Sequence, residues 1–214
     1  MFVFAGFSLM LGNLLENLGV ATGFPFGRYH FTDVMGPRLL HVPILLGLAY
    51  IGMGYVSWTL AALLLGPKMG AFRLAFAAAF LMTAWDVVCE PVWTNLARAW
   101  TWHDGGSYFG VPLSNFAGWY LTNLMIYLAF GWHLRRGGGV DSPIPAPWCV
   151  VAFYAVSALG NLLVALPPYD LIRDAAGRTW SVRSLMDTSA LLSVFLMGSF
   201  AVFAALKLTE TGRE

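Results

Sequence analysis

The stretch "TAWDVVCEP", residues 83–91, places two carboxylic acids, Asp86 and Glu90, at the end of an apolar run. Four residues is one helical turn, so both acids lie on one helix face. An ionised side chain near lipid is costly, which makes such acids functional candidates by default. Carboxyl groups withdrawn from water hold protons more firmly, and a pair of them can keep one protonated and one ionised. Such a pair has the makings of a general acid with a partner. A structural alternative is a helix end reaching the headgroups, with Arg73 or Arg98 as counter-charge. Asp86, deeper and followed by "VV", fits that alternative less well than Glu90 does.

Two further stretches carry polar groups beside rings. In "ENLGVATGFPFGRYHFTDVMGP", Glu16 follows Asn13 and precedes Asn17, at helical spacing i, i+3 and i+4. Phe24, Phe26, Tyr29 and Phe31 then alternate with turn residues; they line an electron-rich entrance or form an interfacial aromatic belt. In "WTWHDGGSYFGVPLSNFAGWYLTN", Asn115, Trp119 and Asn123 recur at i, i+4 and i+8. An intramembrane asparagine seldom faces lipid, so this stripe points into a bundle, for helix–helix hydrogen bonding or for ligand contact. Trp100 and Trp102 have the same belt alternative as the other rings. His30, His41, His103 and His133 lack metal-ligand spacing, so neither a metal nor a haem site is expected. Cys89 and Cys149 match no redox or metal pattern and read as unpaired packing residues. Arg183 and Asp187, one turn apart, read as an ion pair at a helix start. No phosphate loop or Ser/His/Asp arrangement is present.

The elements that must position these groups follow from composition. Of 214 residues, 58% are hydrophobic and 11% charged, and the mean hydropathy is +0.68. These values define an integral membrane protein. A net charge of +1 and the absence of a basic cluster give no sign of a nucleic-acid partner. Six segments approach the roughly 20 apolar residues a bilayer requires: 2–20, 39–65, 71–90, 115–134, 147–166 and 185–207. The expectation is an all-α bundle of about six transmembrane helices, forming a single transmembrane domain over 1–214. The first run lacks a basic flank and is read as a retained helix rather than a secretory signal. Only 12 uncharged residues separate Arg73 from Asp86, so the third span must carry Asp86 within the membrane or at its boundary.

The loops on one face, "GPKMG" and "RRGGGVDSPIPAP", look like connectors. The other face receives three longer loops, 21–38, 91–114 and 167–184, rich in rings and glycine. Glu16, Asn17, Asp86, Glu90, Asn115, Asn161 and Asp187 all lie towards that second face. This lopsidedness predicts a polar pocket in one half of the bundle, roofed by aromatic loops. Lys and Arg divide evenly between the faces, so the positive-inside rule assigns no orientation.

Taken in order, "GFPFGRYHFTDVMGP", "TAWDVVCEP" and "WTWHDGGSYFGVPLSNFAGW" resemble the membrane-bound carotenoid biosynthesis family that includes carotenoid 1,2-hydratases and bisanhydrobacterioruberin hydratases. The resemblance covers roughly residues 13 to 125. It implies addition of water across the terminal C=C bond of an acyclic carotenoid, giving a tertiary alcohol, with no organic cofactor. On that reading Asp86 is the general acid, Glu90 its partner or the group that holds water, and Glu16 a second acid/base candidate. Phe26, Tyr29, Trp102, Tyr108, Asn115, Trp119 and Asn123 are the substrate-binding candidates, with Asn17, Asn115 or Asn123 supplying hydrogen bonds to the ionising acid. Trp85 points about 100° away from Asp86 and ranks lower. The implied partners are the acyclic carotenoid, the lipid bilayer of a prokaryotic plasma membrane and other carotenoid-pathway enzymes. Three other readings stay open. The same protonation followed by ring closure gives an end-group cyclase. A proton relay through Glu16, Asp86 and Asp187 gives a small proton-coupled carrier. A scaffold for pathway enzymes would make the acids dispensable.

Overall fold

A computed structural model describes residues 1–66, 69–137, 146–163 and 170–211, with the side chains of Asn161 and Thr211 outside that description. The predicted connector residues 67–68 and 138–145 and the end of the fifth predicted span, 164–166, also lie outside the described residues. The architecture is all-α. Helices α1 (Phe2–Thr22), α2 (Ile44–Leu65), α3 (Ala71–Asn95) and α4 (Leu113–Gly137) form one group. Helix α6 (Val182–Leu192) and helix α7 (Ser199–Thr211) are joined into one rod by a six-residue π-helical stretch, Ser193–Gly198, and the shorter α5 (Pro147–Gly160) packs against that stretch, α7 and α2. Helices α1, α2, α3 and the α6–α7 rod are long and apolar enough to cross a membrane. Large apolar side chains such as Phe72, Phe80, Val156 and Phe195 point outward. An apolar exterior of this extent is the surface of a membrane protein.

Helix α3 is the centre of the bundle, packed against α2, α4 and α6. It continues to Asn95, beyond the expected end at 90, even though Pro91 lies inside it. Proline has no N–H, so the carbonyl four residues earlier, that of Val87, loses its helical partner. The Tyr108 hydroxyl donates to that carbonyl at 3.0 Å. Next to it, the Ser189 hydroxyl donates to the Val88 carbonyl at 3.0 Å, fastening α6 to the same turn. Tyr108→Phe is therefore expected to lower stability by about 1–3 kcal/mol, the cost of leaving a poorly solvated acceptor unmet. A fall in the thermal midpoint of the detergent-solubilised protein checks this; an unchanged midpoint would show that another donor replaces the hydroxyl.

The aromatic loops pair as strands. Strand β1 (Tyr29–Phe31) is antiparallel to a strand from the loop after α3, Trp100–Trp102, with Tyr29 opposite Trp102 and Phe31 opposite Trp100. Between them in sequence are two-residue strands β2 (Arg38–Leu39) and β3 (Val42–Pro43), so Trp100–Trp102 is β4. Alternation along "YHF" and "WTW" turns Tyr29, Phe31, Trp100 and Trp102 down into the bundle, with His30 facing out. The result is a roof over the ends of α1, α3 and α4. The exposed Arg28 guanidinium clamps its edge by binding both oxygens of Asp104, and holds that carboxyl below the usual carboxylate range. A hairpin, β5 (Leu171–Arg173) with β6 (Thr179–Ser181), stands beside the β1–β4 pair.

Phe26 seats this roof. A Cβ at Gly19 of α1 would come within 2.7 Å of its ring, and one at Gly118 of α4 within 2.6 Å. The two glycines form the slot that the ring fills. Gly118→Ala is expected to push Phe26 out and cost about 1–3 kcal/mol by overpacking, again read as a lower thermal midpoint.

Several sequence expectations change here. Asp187 does not join the interior polar groups: its side chain is 68% exposed and sits 3.7 Å from Arg183, as the expected ion pair. Asn17 turns away from the acids, donating to Asn13 and accepting from the His41 amide. Cys89 is buried and Cys149 exposed; both are free, and Cys149 is not a packing residue.

Candidate active site

Three acids from two helices are buried beneath the roof: Glu16, Asp86 and Glu90 are 3%, 2% and 1% exposed. Their hydrogen-bond partners are all neutral. Asp86 Oδ2 accepts from Asn115 Nδ2 at 3.0 Å, linking α3 to α4. Glu90 Oε1 accepts three bonds, from Thr94 Oγ1 at 2.7 Å, Trp100 Nε1 at 2.7 Å and Trp102 Nε1 at 2.9 Å. Glu16 Oε1 accepts from the Tyr50 hydroxyl at 2.7 Å, and its Oε2 accepts from the Tyr29 hydroxyl. Asp86 Oδ1 and Glu90 Oε2 make no hydrogen bond among the described residues. Buried carboxyl groups that lack a counter-cation are held ready for proton exchange rather than for ion pairing.

Four spaces border the acids or the residues that bind them, and one of these is an apolar groove of about 300 Å³ between α1 and α2 that Asn13, Glu16 and Tyr50 line. Glu16 and Glu90 line a chamber with about 20 Å³ available to a water centre, which is room for one molecule. Asn115, Trp119, Phe26 and Tyr29 are among the side chains of its wall. Asp86 lines a different space, an apolar groove of about 380 Å³ between α2, α3 and α5. Leu46, Trp100 and Trp119 line both, so chamber and groove are neighbours across one layer of side chains. Above them lies a polar basin of about 470 Å³ reaching the β5–β6 hairpin. Thr94, Trp100 and Trp102, the three donors to Glu90, also line this basin.

The sequence-predicted residues fall into distinct positions. Phe26, Tyr29, Trp102, Asn115 and Trp119 line the chamber, and the Trp119 indole stacks on Tyr50 at 4.9 Å between ring centres. Asn123 is buried but donates to the Trp119 carbonyl of its own helix, at 2.8 Å, and touches no acid. Tyr108 lines none of these spaces; burial pushes its hydroxyl up to about 12, so it stays a donor to Val87. Trp85, ranked low from sequence, lines the groove and packs edge-on against Trp119. Tyr50, Thr94 and Trp93 were not anticipated. Tyr50 had a signal as a hydroxyl inside a charge-free run, and Thr94 as the residue one turn beyond Glu90. His30 Nδ1 and His103 Nε2 lie 2.7 Å apart on the outer side of the roof. Among the described residues no group of three or more His, Cys, Asp or Glu is arranged to hold a metal ion.

A family model described as "Carotenoid biosynthesis protein" matches residues 1–171. The chain belongs to the carotenoid biosynthesis protein family. The match takes in all three acids and the whole roof, as well as α5. The chain is also 31% identical over 127 residues to a bisanhydrobacterioruberin hydratase of Haloarcula japonica. That alignment covers 58% of this chain and 42% of the relative, so the chain spans less than half of the relative's length. No solved structure matches. Within the family frame, the aromatic roof and the uncompensated acids of α1 and α3 are the features with chemical capacity.

Proposed function

We propose that this chain adds water across the terminal C=C bond of an acyclic carotenoid, acting as a hydro-lyase in a single transmembrane domain of a prokaryotic plasma membrane. The observation that carries the reading is the division of the two α3 acids: Asp86 borders the apolar groove between α2, α3 and α5, whereas Glu90 borders a one-water chamber next to it, which Glu16 shares while also bordering the groove between α1 and α2. The carboxyl group of Asp86 gives its proton to the less substituted alkene carbon. The π pair forms the new C–H bond, and a tertiary cation remains at the dimethyl carbon. Faces of Trp85, Trp100 and Trp119 near the groove stabilise that cation. Water from the chamber, moving past the Leu46, Trp100 and Trp119 side chains that separate it from the groove, attacks the cation, and Glu90 Oε2, free of other hydrogen bonds, takes the water's proton. The proton then returns to Asp86, one turn away at about 6 Å along the axis. Glu16, held between two tyrosine hydroxyls, positions the water from the facing helix. Asn115 strengthens its bond to Asp86 as the carboxylate forms, offsetting the reluctance of a buried acid to donate.

The name of the relative, a hydratase acting on a carotenoid, agrees with this reading. A chamber sized for water, sharing Trp100 and Trp102 with a polar basin, favours capture by water over capture by an internal double bond. The exposed Asp187 removes one member from the relay a proton carrier would use. Expression in cells that accumulate lycopene tests the proposal, with pigments separated and weighed by mass spectrometry. A product heavier by one water per reacted end is expected. An isomer of unchanged mass would replace hydration with cyclisation, and an unchanged pigment would count against both.

A further inference from the structure

The groove between α2, α3 and α5 has more structure than a proton donor requires. Its rim is lipid-facing: Leu45, Leu48 and Phe153 are 49%, 60% and 53% exposed. Its floor is buried, formed by Met53, Cys89 and Trp119 beside Asp86. The groove therefore opens sideways towards the hydrocarbon and ends on an acid. Trp85, Trp93, Trp100 and Trp119 line it with planar indole rings. An ordinary acyl chain would gain nothing from a carboxyl group at its closed end. A rigid conjugated polyene bearing a reactive alkene at its tip gains both from the flat walls and from the acid.

We infer that this groove is the binding channel for a linear polyisoprenoid polyene, which enters laterally from the membrane between α2 and α5, reactive end first. The inference rests on the hydration reading for its chemistry, but occupancy can be measured without turnover. Gly52 makes the test possible. It lines the groove, and a Cβ built on it meets nothing within 4 Å, so side chains added there fill the channel instead of clashing with the bundle. Gly6 on α1 also has open space around it and lies outside the groove, so Gly6→Phe is the matched control.

Lycopene is the probe, and the full-length chain is purified in detergent from lycopene-accumulating cells. Pigment bound per protein is measured on an Asp86→Asn background, so that turnover does not empty the channel. Gly52→Ala should retain pigment as the parent does, Gly52→Leu less, and Gly52→Phe at least tenfold less, with Gly6→Phe unchanged. If Gly52→Phe fails to accumulate, the comparison of Gly52→Leu with Gly52→Ala decides. Equal retention across the Gly52 series, or no pigment on the parent, overturns the channel. Loss of retention that tracks side-chain size supports the channel even if no hydrate forms on the Asp86 background. Hydrate formed at full rate by Gly52→Phe with Asp86 intact would leave hydration standing and the channel overturned.

Discussion

Asp86→Asn should reduce hydrate formation by a factor of roughly 10²–10⁴, the range in which a positioned general acid contributes. Asparagine is nearly the same shape, and its side-chain oxygen can still accept from Asn115 at the position Asp86 Oδ2 now holds. What it cannot do is deliver a proton to carbon. An isolated alkene is a poor base, so water or a neutral amide cannot substitute. Within the groove the remaining proton-bearing side chains are the Cys89 thiol, the Ser157 hydroxyl and the indoles, all weaker acids than a carboxyl group. Asp86→Glu keeps the proton but moves it by one methylene, and should recover part of the rate. The measurement is product formed per unit of membrane-inserted protein, with pigment retention as the check that the groove is intact. Asp86→Asn at a rate within threefold of the parent would remove Asp86 from the proposed mechanism.

Much of this site was legible from spacing alone, because helices impose their period on the sequence. Asp86 and Glu90, one turn apart, are both buried within the bundle although they border different spaces, and the Asn115–Trp119 stripe does turn inward. The fold class followed from hydropathy in the same way. The roof was not legible as strands. "YHF" and "WTW" are each three residues long, and their pairing partners lie 69 to 73 positions away in the register that joins Tyr29 to Trp102 and Phe31 to Trp100. Alternation over three residues carries no periodic signal until the partner is known. Nor could spacing show that Pro91 recruits Tyr108, since the link passes through a carbonyl freed by a missing N–H. Asp187 misled for a related reason. A position near a helix start says which end of the bundle it occupies, not which face it presents, and its partner Arg183 draws it outward. Tyr50 shows the reverse: an apolar run concealed a hydroxyl whose target, Glu16, lies on another helix.

Glu90 is expected to separate two roles that a single substitution would confuse. In Glu90→Ala the hydroxyl of Thr94 and the indole N–H groups of Trp100 and Trp102 all lose their acceptor. All three border the basin, but only the Thr94 hydroxyl can rotate to water, since the two tryptophans are buried side chains packed at the underside of the roof. At about 1–3 kcal/mol for each unmet buried donor, the loss is about 2–6 kcal/mol. That is a large share of the 5–15 kcal/mol typical of a folded domain, and the thermal midpoint should drop accordingly. Glu90→Gln is different. Its amide oxygen can accept the same three bonds, so the roof stays seated and the midpoint should move little. A neutral amide is nevertheless no acceptor for the proton leaving the captured water. Asp86 can still protonate the alkene in this variant, and the cation, denied productive capture, should return its proton to Asp86 or lose one from a neighbouring carbon. Hydrate formation is then expected to fall by about 10²-fold or more, accompanied by isomers of unchanged mass. A stable Glu90→Gln that forms hydrate at the parental rate would transfer the proton-accepting role to Glu16, the other carboxyl group on the same one-water chamber. The paired variants thus distinguish an acid that holds the roof from an acid that completes the reaction, two tasks that the proposed mechanism gives to opposite oxygens of one side chain.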